Sequence, residues 1–392
     1  MKKKQPVFCH WLNRLVPLNL IAFLLPLLSC QNQPATYRVY LGTYTGQGSE
    51  GIYICLFNTE TGQLTELKLA GLSENPSFLA IDKKGRFLYA VNETGNYLNE
   101  STGSVSAFAI RNKTGDLQLL KQISSMGAHP AHLSLSQTGQ YLFVANYTGG
   151  NIAVYPIDAN GQLAKPSAFV QHEGTGANPN RQEAPHAHCI ASTNNDKFLL
   201  VADLGIDKLM LYHFDNTSGS VEPHNPAFIQ LEPGAGPRHF AFHPKGEVIY
   251  VLNELNSTIS VFSFDTITAG MHLKQQIATL PEDYSGENTT AEIEVDIAGR
   301  FLYASNRGHN SIVHYEIDPV SGELKTIDWI QSGGMAPRHF TIDPTGKWLL
   351  TANQDSDNVV VFRIDPDNGR LEKTSHSLQL SKPVCIRIMP IQ

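Results

Sequence analysis

The length, composition and charge of the chain restrict its fold class and its partners. It has 392 residues, of which 41% are hydrophobic and only 17% charged, with 31 glycines and 22 prolines. Sparse charge with frequent turn residues is typical of a protein of many short strands, and a closed all-β domain can reach this length. The formal net charge of −7 gives nucleic-acid binding no electrostatic support, and an anionic ligand would need a locally basic pocket.

The start of the chain is typical of a bacterial export signal rather than of a folded domain. Basic residues are followed by an apolar stretch, Leu15 to Leu28, that is short for a membrane-spanning helix. It ends Leu-Leu-Ser-Cys, which resembles a lipobox, so Cys30 is the predicted lipidation site. We predict a signal peptide over 1–30, a tether over 31–36 and a location in the cell envelope, on the periplasmic or outer-membrane side, with membrane contact only through this lipid. An uncleaved anchor is the alternative.

The cysteines beyond this leader form no recognisable framework. Cys55, Cys189 and Cys385 are an odd number and lie within predicted strands. Their spacing matches neither a set of disulfides nor a zinc site. We therefore predict buried free thiols, and we expect no metal and no cofactor.

A glycine turn recurs along the remaining chain and marks seven repeats. Each copy has a small or polar residue, then Gly, then one or two residues before an apolar one, and successive glycines are 46 to 58 residues apart. Glycine supplies the positive φ that a tight hairpin requires. The fifth copy is degenerate but falls on the period. The copies are Thr61-Gly62, Thr114-Gly115, Asn160-Gly161, Ser218-Gly219, Ala269-Gly270, Ser321-Gly322 and Asn368-Gly369.

A second motif, an apolar run from Gly to Asn, precedes most of these hairpins. An example is Gly-Arg-Phe-Leu-Tyr-Ala-Val-Asn at 85–92, which is typical of a strand buried between neighbouring sheets. An alternating strand follows each run, as at Val105 to Ile110, and another strand, often opened by proline, comes before it. Each repeat therefore predicts four antiparallel strands in about fifty residues, the size of one propeller blade.

The two ends of the repeat array predict how the ring closes. The first repeat lacks its leading strand because Tyr37 begins at the second-strand position, whereas the last leading strand, Pro383 to Met389, has no repeat after it. We expect this C-terminal strand to complete the first blade and so leave no unpaired strand between the two ends. The sequence predicts an all-β, seven-bladed β-propeller over 37–392, with four antiparallel strands per blade. We expect the protein to be a monomer.

The same topology predicts where functional side chains collect. In an antiparallel meander, the start of the first strand and the end of the second lie at the same end of the blade. If the first strand is innermost, both ends line one mouth of the central channel. Six second strands end in Asn or Asp, which the chemistry of turns explains. The next residue differs from blade to blade. The fold does not require this difference, so it indicates function. These residues are Glu93, Tyr147, Leu204, Glu254, Arg307 and Gln354.

The starts of the first strands add histidines and arginines to this mouth. Arginine binds carboxylate or phosphate through paired hydrogen bonds, and histidine is the usual general base near neutral pH. Such a cluster in an acidic protein suits a small anion, although each single histidine is equally well explained as a structural residue. The sequence contains no motif for a covalent nucleophile. The predicted mouth residues are His132, His186, His188, His239, His339, Glu254, Arg181, Arg238, Arg307 and Arg338.

Several motifs occur in a characteristic order. They are Val-Tyr-Leu-Gly-Thr-Tyr-Thr at 39–45, Asn-Pro-Ser-Phe-Leu-Ala at 75–80, two copies of Pro-Arg-His-Phe, and Ser-Asn-Arg-Gly-His-Asn-Ser-Ile at 305–312. In these motifs the chain resembles the seven-bladed propeller lactonases, which include propeller-type 6-phosphogluconolactonases and fungal carboxy-muconate cyclases. The resemblance covers 37–392. It implies opening or closing of a lactone ring, with no metal required.

The resemblance also implies roles for a His, Arg and Glu set. We expect His132 or His188 to be the base that activates water, with Glu254 orienting it or relaying the proton. Arg238 and Arg181 are expected to hold the carbonyl oxygen and the substrate anion. The remaining predicted substrate contacts are His186, His239, Arg307, Arg338 and His339.

The predicted export conflicts with a cytoplasmic phosphogluconate substrate, so the compartment bears on the function. Either the lipobox interpretation is wrong, or the substrate is a different sugar or aromatic lactone, and we favour the second explanation. We expect a 6-phosphogluconolactonase-like hydrolysis of a small anionic sugar lactone. One alternative is a non-catalytic envelope propeller that binds an anionic ligand or a partner protein, because fold alone does not establish activity. Another is a calcium-dependent lactonase that uses Asn, Asp and Glu oxygens at the mouth.

Overall fold

The seven repeats fold into seven four-stranded antiparallel sheets. The computed structural model describes residues 1–3, 5, 35–46 and 48–391, and the sheets lie in the compact unit Pro34–Gln392. The predicted lipidation site Cys30 and the signal peptide's cleavage region lie outside the described residues. The first strand begins at Thr36, one residue before the predicted start of the propeller.

Each sheet is a meander of consecutive strands and forms one blade. Blades 1 to 4 consist of β28 (Pro383–Pro390) with β1 (Thr36–Thr43), β2 (Gly51–Asn58) and β3 (Leu64–Leu72); β4 (Phe78–Ile81), β5 (Phe87–Asn92), β6 (Ser104–Ile110) and β7 (Leu117–Ser124); β8 (Pro130–Leu135), β9 (Tyr141–Asn146), β10 (Asn151–Pro156) and β11 (Ala168–Gln171); and β12 (Ala187–Ser192), β13 (Phe198–Asp203), β14 (Lys208–Asp215) and β15 (Ser220–Gln230). Blades 5 to 7 consist of β16 (Pro237–Phe242), β17 (Val248–Asn253), β18 (Thr258–Phe264) and β19 (Met271–Ala278); β20 (Thr289–Val295), β21 (Phe301–Arg307), β22 (Ser311–Ile317) and β23 (Leu324–Gln331); and β24 (Pro337–Ile342), β25 (Trp348–Asn353), β26 (Asn358–Ile364) and β27 (Leu371–Gln379).

The ring closes through the C-terminal strand, as predicted. β28 pairs antiparallel with β1, from Tyr37 opposite Pro390 to Thr43 opposite Pro383. The first strand of each blade contacts the first strands of both neighbouring blades, so these strands surround the central channel. The prediction of an all-β, seven-bladed propeller is confirmed. A short 3₁₀ helix, Leu204–Ile206, follows β13, and no helix among the described residues is long and apolar enough to cross a membrane.

The hydrophobic core lies between adjacent blades rather than within any one of them. Every residue of β9 and of β13 is buried, which explains why these second strands read as nearly continuous apolar runs. Six clusters of buried apolar side chains fill the spaces between neighbouring sheets. Cys55, Cys189 and Cys385 are buried free thiols, as predicted.

An aromatic side chain of the second strand also joins most blades to the next one by a hydrogen bond. Its donor reaches a carbonyl of the glycine hairpin in the neighbouring blade, which satisfies a buried acceptor. Blade 4 carries Phe198 at this place, and the hairpin opposite is the degenerate copy around Ala269. The bonds are Tyr40–Gly115 (2.7 Å), Tyr89–Gly161 (3.1 Å), Tyr141–Thr217 (3.1 Å), Tyr250–Gly322 (3.0 Å), Tyr303–Gly369 (2.6 Å) and Trp348–Thr59 (2.8 Å).

We predict that Tyr250→Phe lowers the free energy of unfolding by about 1–2 kcal/mol, because the buried carbonyl of Gly322 loses its donor. Urea denaturation followed by fluorescence measures the change. Tyr284→Phe is the control, since its hydroxyl bonds the exposed Glu287 carbonyl. Equal midpoints for the two variants would contradict a role for the bond between blades.

Candidate active site

A pocket of about 230 Å³ lies at the channel mouth where the second strands end. Three structural positions supply its lining. Five residues directly follow second strands or end them, four lie at irregularities of the innermost strands, and one belongs to a loop. The lining residues are Tyr44, Glu93, Tyr147, Glu254 and Arg307; Ala131, His188, Arg238 and Arg338; and Arg181.

The variable position after the second-strand Asn supplies half of the pocket. Four of the five Asn side chains bond a backbone carbonyl. For example, Asn92 Nδ2 donates to the Glu74 carbonyl at 2.6 Å, and Asn146 Nδ2 to the Ser125 carbonyl at 2.8 Å. These bonds support the interpretation of the Asn series as turn chemistry. The residue after the Asn lines the pocket in four blades, whereas Leu204 and Gln354 at the same position do not.

A β-bulge in the innermost strand supplies the second set of lining residues. Pairing shifts by one residue in β8, β12, β16 and β24, directly after the residue at which each strand starts. A bulge inserts one extra residue and redirects its side chain. The inserted residues are Ala131, His188, Arg238 and Arg338, and all four line the pocket.

The residue after each bulge lies one step deeper in the channel, outside the pocket lining. This is where the structure places His132, His239 and His339, which we expected at the mouth itself. The three are buried: His132 Nδ1 accepts from the Ile190 amide at 3.3 Å, His239 Nδ1 lies 3.2 Å from Glu292, and Arg387 donates to His339 Nε2 at 2.9 Å. Burial lowers the pKa of all three, that of His339 to about 3. They form a neutral layer beneath the pocket.

His186 also lies outside the lining. Its ring stacks on Tyr147 at 4.5 Å, and its Nδ1 lies 3.1 Å from the Tyr147 carbonyl oxygen. It therefore supports a pocket wall rather than entering the pocket.

Three arginines converge on the buried carboxylate of Glu254. Arg181 Nη2 donates to Oε1 at 2.7 Å, while Arg238 Nη1 and Arg307 Nη2 reach Oε2 at 2.6 and 3.0 Å. Burial alone would raise the pKa of Glu254, but the arginines outweigh it and hold that pKa well below its usual range. Glu254 is therefore an ionised counter-charge with both oxygens occupied.

The pocket nevertheless retains positive charge. Four arginines and two glutamates line it, which leaves two net positive charges. Arg338 has the freest guanidinium: among the described residues it makes no hydrogen bond, and its contacts are an ion pair with Glu93 at 3.9 Å and the ring of Tyr44 at 5.2 Å. Burial and Arg238 lower the pKa of Arg307 to about 9, and a bound anion would relieve this repulsion.

His188 is held by the arginine cluster. Arg238 Nη1 donates to His188 Nε2 at 2.6 Å, and because guanidinium cannot accept, the ring proton is assigned to Nδ1. Burial and Arg238 hold the pKa of His188 well below its ordinary value. Its Nε2 lone pair is therefore already engaged.

Glu93 is the second carboxylate of the pocket and was not among the predicted site residues. Tyr44 donates to its Oε2 at 2.8 Å, while among the described residues Oε1 makes no hydrogen bond. Glu93 and Tyr147 occupy the same variable position as Glu254 and Arg307, so the repeat itself could have identified them. Tyr44 was harder to find because Thr43 replaces the Asn that marks this position in other blades.

Within the described residues, no group of three or more His, Cys, Asp or Glu side chains is arranged to hold a metal ion. The polar chemistry of the pocket is that of arginine, carboxylate, tyrosine and imidazole. These groups can bind an anion, stabilise a developing oxyanion and accept a proton from water.

Comparison with known proteins adds a family to this geometry. A family model described as lactonase, seven-bladed β-propeller, matches residues 38–388. The chain belongs to this family. The 6-phosphogluconolactonase of Bacillus subtilis (strain 168) is 35% identical over 305 residues, covering 78% of this chain and 84% of that protein. The 6-phosphogluconolactonase of Formosa agariphila is 32% identical over 306 residues, covering 77% of this chain and 85% of that protein.

A solved structure is similar to this propeller lactonase in both fold and sequence. The periplasmic gluconolactonase PpgL of Pseudomonas aeruginosa superposes with a TM-score of 0.86 at 32% identity, covering 91% of this chain and 100% of that one. The family resemblance inferred from the motifs is confirmed.

We predict that Arg338→Gln weakens binding of inorganic phosphate by roughly 10-fold or more, because its guanidinium has charged donors that the protein does not use. Isothermal titration calorimetry at low ionic strength measures the affinity. Arg363→Gln, at an exposed arginine of β26, is the control. Unchanged affinity in Arg338→Gln would show that phosphate binds elsewhere.

Proposed function

We propose that this propeller hydrolyses a small anionic sugar lactone in the channel-mouth pocket, in the manner of a 6-phosphogluconolactonase. Family membership and the named relatives support the reaction class. The observation that carries the proposal is the composition of the pocket: an arginine cluster already fixed by Glu254, together with a surplus of positive charge and a carboxylate that has a free oxygen. Lactone hydrolysis requires these elements, namely anion binding, an oxyanion donor and a base.

Glu93 is the proposed general base. Its Oε1 takes a proton from a water molecule as the water oxygen attacks the lactone carbonyl carbon. The carbonyl oxygen becomes negatively charged and is stabilised by Arg238, whose Nη2 makes no hydrogen bond among the described residues. When the bond to the ring oxygen breaks, Glu93 returns the proton to that oxygen. The product is a carboxylic acid with a free hydroxyl, and it ionises to the carboxylate.

This assignment differs from the roles expected from the family resemblance. Glu254 is a weak base, because its pKa is held low and both oxygens accept from arginines. His188 accepts from Arg238 at its Nε2, and His132 accepts a backbone amide below the pocket. We therefore assign His188 and Glu254 to holding the arginines and Glu93 to moving the proton.

The substrate anion is the proposed ligand of Arg338 and Arg181, which both line the pocket. A cavity of about 230 Å³ suits a single sugar ring and a small charged group. The relative PpgL is described as a periplasmic gluconolactonase, which supports a lactone met outside the cytoplasm. We propose an envelope location for this chain, with lipid attachment at Cys30.

We predict that Glu93→Gln lowers kcat by roughly 10²- to 10⁴-fold, because the amide cannot accept the proton. A pH-indicator assay with gluconolactone and 6-phosphogluconolactone measures the rate. Glu316→Gln, at an exposed glutamate of β22, is the control. We also expect no inflection near pH 6.5 in the wild-type profile, since burial keeps His188 and His132 neutral on both sides of that pH.

Three outcomes would contradict parts of this proposal. A Glu93→Gln variant with unchanged kcat would place the base elsewhere. An inflection near pH 6.5 that is lost in a histidine variant would restore a histidine base. If the wild-type protein turns over none of these lactones above background but binds phosphate at the pocket, it is a binding propeller instead of an enzyme.

We predict that Cys30→Ala moves the protein from the membrane fraction to the soluble fraction of the cell envelope, because a lipid attached to this thiol would be its only anchor. Fractionation and immunoblotting measure the distribution. Cys9→Ala is the matched control, since Cys9 lies before the lipobox. A Cys30→Ala protein that stays in the membrane fraction would contradict the lipid as its only anchor and point to the apolar leader instead.

A further inference from the structure

Among the four arginines of the pocket, Arg181 is the one that lies in a loop. Arg238, Arg307 and Arg338 lie on β16, β21 and β24, whereas Arg181 lies between β11 and β12, in residues 172–186. Its side chain is 38% exposed, against 5% for that of Arg238. A long exposed side chain loses conformational entropy when it is held on a carboxylate, so the 2.7 Å bond to Glu254 requires a fixed backbone.

The neighbouring residue, Gln182, supplies that fixation. Its side chain is fully buried, and Nε2 donates to the Leu204 carbonyl at 2.7 Å and to Asp207 Oδ1 at 2.6 Å. Its Oε1 accepts the Asn178 amide at 2.8 Å. The two amide hydrogens therefore hold the loop to the turn that follows β13, while the oxygen fixes the fold of the loop itself.

Asp207 also bonds the backbone next to Arg238 and Glu254. Its Oδ1 also accepts the Gly236 amide at 2.8 Å, and the Gly236 carbonyl accepts the Glu254 amide at 2.7 Å. Gly236 lies two residues before Arg238 in the chain. A single buried carboxylate thus fixes the backbone beside Arg181, Arg238 and Glu254, the three groups whose side chains meet in the pocket.

A second acid of the same turn holds both ends of the loop. Asp203 Oδ2 lies 2.6 Å from His172 Nδ1, and Asp203 Oδ1 accepts the His186 amide at 2.7 Å. The other His172 nitrogen, Nε2, is bonded by the Tyr212 hydroxyl at 2.9 Å. Blade 4 thus has Asp where other blades have Asn, and both of its oxygens lie within hydrogen-bond distance of a residue at one end of the loop.

We infer that Gln182 and Asp207 are positioning residues of the lactonase site, which fix Arg181 against Glu254. Neither touches the pocket, so they act through Arg181 and not on the substrate. The inference rests on the proposed function for its effect on turnover, whereas its effect on loop order and on anion binding is independent of turnover.

The test is a double-mutant cycle of Gln182→Leu and Arg181→Ala. If Gln182 acts by positioning Arg181, each single variant lowers kcat/KM and phosphate affinity by roughly 10-fold, and the double variant loses no more than Arg181→Ala alone. Losses that multiply in the double variant would overturn the inference, because Gln182 would then act independently of Arg181. Phosphate affinity keeps the cycle measurable even if no lactone is hydrolysed.

Hydrogen exchange separates positioning from general destabilisation. We expect Gln182→Leu to speed exchange at amides of 172–186 while those of β13 stay protected, and Arg181→Ala to leave the loop unchanged. Gln230→Leu is the matched control, since its amide bonds the Asp207 backbone carbonyl at 2.9 Å from the outer strand. Unchanged loop exchange in Gln182→Leu would also overturn the inference.

Asp207 is tested with a conservative and a disruptive variant. Its φ of +54° is tolerated by Asn, which keeps an oxygen for Gln182 and Gly236 and gives up only the bond that Asp207 Oδ2 accepts from the Gly234 amide at 2.8 Å. Asp207→Asn should therefore retain most phosphate affinity, and Asp207→Ala should lose as much as Gln182→Leu. Equal losses in the two Asp207 variants would mean that the acceptor bonds do not position Arg181.

Discussion

The architecture of the pocket depends on the burial of one carboxylate among arginines. Moving a charge out of water is costly unless a partner and hydrogen bonds replace the solvent. Glu254 meets that condition through three guanidinium groups, and those groups in turn approach each other closely only because Glu254 is there. Removing either partner leaves uncompensated buried charge. The orientation of His188, which accepts from Arg238, follows from this arrangement. The surplus positive charge of the pocket is what remains after Glu254 and Glu93 are set against four arginines.

The fold was predictable because its signals are local and repeated. The hairpin glycines and the buried apolar runs predict the number of blades. The C-terminal strand, which has no repeat after it, predicts the closure through β28. The depth of the mouth histidines was not predictable in the same way. Strict alternation along β16 would place Arg238 and His239 on opposite faces of the strand, but it does not indicate their depth in the channel. The bulge turns Arg238 into the pocket and leaves His239 below it.

Departures from the repeat mark the functional side of the ring. Blade 4 has Asp203 in place of Asn, Phe198 in place of a hydrogen-bonding aromatic residue, and a short 3₁₀ helix after its second strand. The long loop 172–186 leads into the same blade. A repeat that serves only the fold would have no need of these changes. Asp203 and the 3₁₀ helix belong to the turn that holds the Arg181 loop, so these two departures follow the chemistry of the site.

The pairing of arginines with Glu254 also bears on product release in the proposed reaction. Hydrolysis converts a neutral ester group into a carboxylate, so the product carries one more negative charge than the substrate. A cluster of unpaired arginines would bind that product more tightly than the substrate and slow its departure, whereas only binding that is stronger in the transition state accelerates the reaction. By neutralising part of the cluster, Glu254 limits the attraction for the product while leaving Arg238 fixed where the oxyanion develops.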